Sequence, residues 1–402
     1  MKKKSRIIML AILVLFVSAV TFHTSSTAQA LEGKEIKIGV AVPITGHGAN
    51  VGKREAIGAQ AAVDVINAGG GIGGVQLKLF VEDTASNPQE AVNVVRKLAG
   101  DHKVIAIVGP HYSGVGETTF PLGNQLKIVQ IAVASSKPGL AKANRPYAFR
   151  NTLTEDKIAG AVISAFKKRY NIKNVAIITD IKDAVSKAVG TKVLPPAFKA
   201  QGIDVITGDK PVTFQTNDTQ FKAQITKLKA MNPDGVGMGA LGPDALNIIT
   251  EARRQGMKQP FMSTAPIMEG EVPELGGKAV VGTFSGTIWH LSLASEDSKK
   301  FIAAYEKRAK TMYAGPYTAT PDYYPVNAYD AVFMIAEAIQ KTGVTNKSSA
   351  LAGDREKIMQ YFTTLNDFKG VASRGFNDVG DGVKDVHVFE IKGGHWVPIS
   401  KP

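Results

Sequence analysis

The side chains in this 402-residue chain most able to do chemistry are scattered histidines and a few serines in loops, and none of them forms a reactive set. Tyr112-Ser113-Gly114 places a serine in a tight loop. A nucleophile elbow needs glycine two residues to either side, where this chain has His111 and Val115. The run Gly69 to Gly74 satisfies G-x-G-x-x-G, but it follows a helical pattern and precedes a strand, the reverse of what a dinucleotide site requires. It reads as a flexible turn. His47, His102, His111, His290, His387 and His395 lack the paired spacing of a metal site. Asp378, Asp381 and Asp385 lie among glycines in the wrong register for a calcium loop and read as a surface turn. With no acid, base and nucleophile together, the residues point to binding without turnover, with no metal and no cofactor expected.

The remaining candidates depend on the elements that hold them. Ile36 to Val42 is rich in β-branched residues and is followed by a loop and then a helix whose apolar face runs Ala56, Ala59, Val63, Ile66. The unit repeats: strands over 76–83, 104–109 and 128–133 alternate with helices over 88–99 and 116–126. After Asn151 a second set begins, with strands over 174–179, 204–212, 235–239 and 260–263 and helices over 158–170, 184–201, 221–231 and 243–255. Such alternation implies parallel sheets covered by helices on both faces. Two later helices, 298–312 and 327–342, must return to one of the sheets, so the chain crosses between lobes more than once. Ligands of open parallel sheets bind beyond the carboxyl ends of the strands. Three such loops converge in the first lobe: Thr45–Asn50, Pro110–Gly114 and Ala134–Ser136. Ser113 stands where a helix begins, so it is a helix cap, a ligand contact or both.

Composition sets the setting. Lys2, Lys3, Lys4 and Arg6, an apolar run from Ile7 to Val20 and Ala28-Gln29-Ala30 read as a cleavable secretory signal over 1–30. The apolar run falls short of the roughly 20 residues that span hydrocarbon. The absence of cysteine leaves an exported fold to stand on core packing and gives no site for a terminal lipid, so a freely diffusing periplasmic protein is expected. A mature chain of about 370 residues implies two domains. The formal charge of +13 falls to +9 without the signal cations. The lysines lie scattered along helices without interleaved aromatics, which argues against nucleic acid as a partner.

Taken together, Ile36 to Gly46, Gly58 to Asn67 with its glycine turn, Asp83 with Asn87-Pro88, and Val108-Gly109-Pro110 with Ser113-Gly114 resemble the periplasmic solute-binding proteins of the branched-chain amino acid type. Tyr147 to Arg150, Ile177 to Asp180 and Asn327 to Ala331 extend the resemblance over nearly all of the mature chain. It implies a type I periplasmic binding fold: two Rossmann-like α/β lobes, 33–152 plus 284–372 and 153–283 plus 373–402, joined by three crossings. It also implies a monomer that closes on a small-molecule ligand and docks on an ABC permease driven by an ATPase.

Within that frame Ser113 resembles the serine that bonds a ligand carboxylate. Ser135 resembles the hydroxyl residue that shares this task, with Ala134 beside it. Val133 stands where a carbonyl meets a ligand ammonium. His47, His111, Tyr112 and Trp289, with His290, are available as walls. The second lobe departs from the pattern: Leu241 lies where a tyrosine is usual, and Thr264 or Ala265 replaces the acid that pairs with an α-ammonium. Glu269 or Glu271 would have to supply that charge instead. An unpaired ligand ammonium would cost several kcal/mol. The reading therefore favours a carboxylate without an amine, such as an aromatic acid. An amino acid, or an amide-sensing regulatory role, remains the alternative.

Overall fold

The computed structural model describes residues 31–268, 272–293, 295–315 and 318–399. The expected signal segment, Glu269 and Glu271 lie outside the described residues. The first lobe opens with β1 (Glu35–Val42), α1 (Ala49–Ala68), β2 (Gln76–Asp83), α2 (Pro88–Gly100), β3 (Ile107–Val108), α3 (Ser113–Leu126), β4 (Gln130–Ala132) and β5 (Ala148–Arg150). Its strands form one parallel sheet in the order β2-β1-β3-β4-β5. Local chemistry starts the helices where the sequence indicates: Asn87 accepts from the backbone N–H groups of Gln89 and Glu90, with Pro88 in the first turn of α2.

The second lobe runs through α4 (Glu155–Tyr170), β6 (Asn174–Asp180), α5 (Ala184–Ala188), α6 (Leu194–Ala200), β7 (Asp204–Val205), β8 (Val212–Phe214), α7 (Lys222–Met231), β9 (Gly235–Gly239), α8 (Gly242–Arg254), β10 (Phe261–Met262), α9 (Val272–Gly276) and β11 (Phe284–Thr287). The chain then returns to the first lobe as α10 (Glu296–Ala309), α11 (Tyr323–Lys341) and α12 (Leu351–Thr364), and ends in the hairpin β12 (His387–Lys392) and β13 (His395–Pro398). The second sheet is ordered β13-β12-β11-β10-β9-β6-β7, with β8 also on β6; its pairings are parallel except β11–β12 and β12–β13, which are antiparallel. α11 lies against α1, and Gly58 permits the approach: a Cβ there would stand 2.3 Å from the Pro325 carbonyl oxygen.

Several boundaries differ from the sequence expectation. The strand read over 204–212 is two short strands, both paired to β6. The helix read over 184–201 is interrupted by a wider turn at Val189–Val193, and Pro195 and Pro196 follow in the first turns of α6. The lobe boundary at 283/284 moves beyond Thr287, because β11 is hydrogen-bonded between β10 and β12. The boundary at 372/373 moves beyond Val383: Phe376 packs on Phe149 and Phe362 of the first lobe, and Arg150 and Asp381 form a bridge.

The crossings share a buried polar network. The Asn151 side chain donates to the Asn327 carbonyl at 2.8 Å, and Ser373 Oγ donates to Asn151 Oδ1 at 2.7 Å. Lys384 Nζ donates to Asn327 Oδ1 at 3.1 Å and to Ser373 Oγ at 2.7 Å. The Lys384 stem is partly exposed, but its ammonium is buried, which pushes its pKa down to about 7 against the opposing pull of Asp330. Arg150, wholly buried, bonds the Ser135 carbonyl at 3.1 Å and pairs with Asp381. The Ser135 carbonyl is thereby tied to the segment that crosses between the lobes.

Candidate functional site

The lobes meet around a slot lined from the first lobe by His111, Tyr112, Ser113, Ala134, Ser136, Tyr323 and Tyr324, and from the second by Val185, Leu241 and Pro266. Its volume is about 20 Å³, so entry of any organic solute requires the lobes to part. Strand ends aim these residues. β3 delivers His111 to Ser113, β4 delivers Ala134 and Ser136, and the start of α11, where Asp322 accepts from Tyr324 N at 3.0 Å, delivers the two tyrosines.

Ser113 is the first residue of α3 rather than its cap. The first helical bond of α3 runs from Gly116 N to the Tyr112 carbonyl at 3.0 Å, and Tyr112 gives no side-chain cap. A 14-residue helix therefore begins at the slot without a capping side chain, an arrangement suited to an anion. The Ser113 hydroxyl accepts from Lys137 N at 3.2 Å and retains its own proton for donation.

The neighbouring serines divide the work differently from the expectation. Ser135 Oγ is buried and donates to the His111 carbonyl at 2.8 Å, fastening the two loops together, and Ser136 lines the slot instead. The Val133 carbonyl accepts from Asn327 Nδ2 at 2.7 Å, so it is taken up by the polar network at the crossings. Trp289 is packed edge-on against Phe301 and donates from Nε1 to Ser298 Oγ at 3.0 Å, away from the slot. His47 is exposed, with its ring 4.9 Å from that of Tyr112. Ala265 opens a short buried turn whose next residue, Pro266, makes the wall.

Two buried carboxyl groups stand behind the lining. Glu55 of α1 is 2.6 Å from His111 Nδ1; burial raises its pKa above the ordinary value, and His111 opposes the rise. Glu155, the first residue of α4, is wholly buried. The hydroxyls of Ser136 and Thr264 and the N–H of Ala265 approach its carboxyl group and favour ionisation, but neither oxygen completes a well-formed hydrogen bond. Burial prevails and raises its pKa to about 7. Thr264 Oγ1 beside it is also buried without a partner among the described residues. Sequence reasoning named the 134–136 loop but singled out Ser135 rather than Ser136 within it, and it did not name Glu155, Tyr323 or Tyr324.

The sequence model of the periplasmic binding protein family matches residues 35–395. The chain belongs to this family. Its members are solute binders, and this periplasmic binding protein is of the branched-chain amino acid ABC transporter type with the type I fold. It is 27% identical over 347 residues to a leucine-, isoleucine-, valine-, threonine- and alanine-binding protein of Pseudomonas aeruginosa, covering 86% of this chain and 87% of that one. It is 30% identical over 294 residues to a Leu/Ile/Val-binding protein homologue of Brucella abortus, covering 70% and 75%. The fold is that of a leucine-binding protein from Thermotoga maritima (TM-score 0.78, 24% identity, 91% and 98% covered). It is equally that of a solute-binding protein from R. palustris in complex with 4-hydroxybenzoate (TM-score 0.76, 21% identity, 91% and 95% covered). Among the described residues no helix is long and apolar enough to cross a membrane, and no group of three or more acidic or histidine side chains is placed to hold a metal ion.

Proposed function

We propose that this periplasmic binding protein works as a monomer in the periplasm, capturing a small carboxylate between its lobes and delivering it to an ABC permease driven by an ATPase. The observation that carries this is the uncapped N-terminus of α3 at the slot, flanked by the hydroxyls of Ser113 and Ser136. Backbone N–H groups there favour an anion, and hydroxyl donors to a charged oxygen contribute about 1.5–3 kcal/mol each. Tyr112, Tyr323, Tyr324 and His111 make the rest of the first-lobe wall largely aromatic, Val185, Leu241 and Pro266 close it from the second lobe, and among the described residues the lining carries no acidic side chain. An aromatic or other amine-free acid suits such a chamber, since a ring carboxylate offers stacking area and asks for no counter-anion.

Glu155 favours a second reading. A buried carboxyl group with unsatisfied oxygens next to Ser136 is the partner that an α-ammonium requires, which would make the solute an amino acid. A thermal-shift screen of the mature protein against amino acids and against amine-free aromatic and aliphatic acids separates the two. Ligand at 100 times its dissociation constant adds about 2.7 kcal/mol. A response confined to amine-free acids supports the first reading; one confined to amino acids replaces it with the second. Silence from every acid refutes carboxylate capture.

A further inference from the structure

The slot offers hydroxyls and helix-end amides to an anion, yet among the described residues no lysine or arginine lines it. The nearest basic side chain in the lining is His111, two residues before Ser113 on the same loop. His111 does not stand alone. Glu55 reaches it from α1 with a 2.6 Å contact between Oε1 and Nδ1, and both residues are buried, at 0% and 4% exposure. A ring that only packed against solute would need no such partner, and placing a carboxyl group in this interior is costly unless it is used. Glu55 Oε2 has no hydrogen-bond partner among the described residues. Around the pair, Arg54 is held by Asp322 at 2.6 Å, the Tyr324 ring packs against that of His111, and His47 interacts electrostatically with both His111 and Asp183.

Resting on the carboxylate reading, we propose that Glu55 is a positioning residue that acts through His111: the pair holds one shared proton, and an entering anion draws it onto the imidazole, making His111 the cationic partner of the solute's carboxylate. The step is balanced within the pair. The proton leaves the Glu55 carboxyl group, the imidazole gains it, and the resulting carboxylate accepts the Nδ1–H bond. The slot thereby discriminates a charged acid from its neutral amide by more than hydrogen bonding to hydroxyls alone. Tuning through a buried carboxyl partner is the usual way to fix which ring nitrogen of a histidine carries the proton.

The test is the variant Glu55→Gln, which keeps an acceptor for Nδ1–H but cannot balance an imidazolium. Histidine is ¹⁵N-labelled, and the His111 ring is read with and without benzoate or leucine, whichever binds the unmodified chain; affinities for that acid and for its amide are measured by calorimetry. The expected result is an imidazolium pattern at His111 with the acid bound, a neutral ring in the variant, and roughly tenfold weaker binding of the acid with the amide unchanged. A neutral ring in the acid-bound unmodified protein overturns the proposal, as does equal weakening of acid and amide, which is what a packing role produces. If neither acid binds the unmodified chain while its melting curve is normal, the carboxylate reading itself falls and takes the proposal with it.

Discussion

Replacing Glu155 by glutamine should stabilise the unliganded protein at pH 8 and leave it unchanged at pH 4. The carboxyl group is wholly buried and its pKa is raised from an ordinary 4.5 to about 7, first by burial. Below pH 4.5 the folded and unfolded chains both hold the proton. Between 4.5 and about 7 the unfolded chain ionises while the folded chain does not, so folding loses stability as pH rises. Above that window the full cost stands, ~3 kcal/mol for a displacement of this size. Glutamine has the same shape and never ionises, so the difference between the two proteins should grow through the window and level off above it. Denaturant unfolding of both proteins from pH 4 to pH 8 reads this directly. Coincident stabilities at every pH would refute the claim that an ionisable proton is buried here at a cost. The same variant sorts the solute: if Glu155 meets an ammonium, amino-acid affinity should fall by roughly a hundredfold or more, the cost of orphaning a buried charge, and amine-free acids should bind unaltered.

Ser136→Ala should weaken carboxylate binding about tenfold or more in calorimetry without moving the unliganded melting point, and Ser135→Ala should lower unliganded stability by ~1 kcal/mol, because its hydroxyl bonds the buried His111 carbonyl. Lys384→Met should be relatively more stable than the parent at pH 7 and lose that advantage as pH rises toward 10.5. The folded ammonium titrates near 7 and the unfolded one near 10.5, so the parent gains ~1.4 kcal/mol per pH unit between them in parallel unfolding curves. Gly52→Ala should cost ~3 kcal/mol or more in the same assay, since its Cβ would lie 1.8 Å from the Pro43 carbonyl oxygen.

The first lobe was legible because its strands and helices alternate over short distances and its loops sit at strand ends. Periodicity located β1, α1, β2 and α2 within a few residues, and the convergence of the 110–114 and 134–136 loops follows from a parallel sheet whatever the ligand. The difference between the expected Ser135 and the Ser136 that lines the slot is one of register. Past the last hydrogen-bonded residue of β4, successive side chains still point to opposite sides, and a displacement of one residue exchanges the serine that fastens the loop for the one that faces the slot. Tyr323 and Tyr324 could not be placed because they return from the third passage of the chain, and nothing local in the sequence states that α11 starts at the cleft.

The acid behind the slot was missed for a different reason. The family resemblance places the counter-charge just after β10, where this chain has Thr264 and Ala265. In three dimensions those residues mark the place correctly: the Glu155 carboxyl group lies against both of them and against Ser136 of the other lobe. It arrives there from the crossing after β5, as the first residue of α4, where an acid would ordinarily be explained by the helix dipole and solvent exposure. Its complete burial removes that explanation, because a dipole interaction of up to about 2 kcal/mol in a favourable site does not offset the cost of a buried, unsatisfied carboxylate. Under the proposed capture of a solute between the lobes, a group kept at such a cost at their junction is the place where ligand charge and closure would meet. On the second reading proposed above, the charge of the solute's other functional group is therefore set by Glu155 as well as by the strand ends.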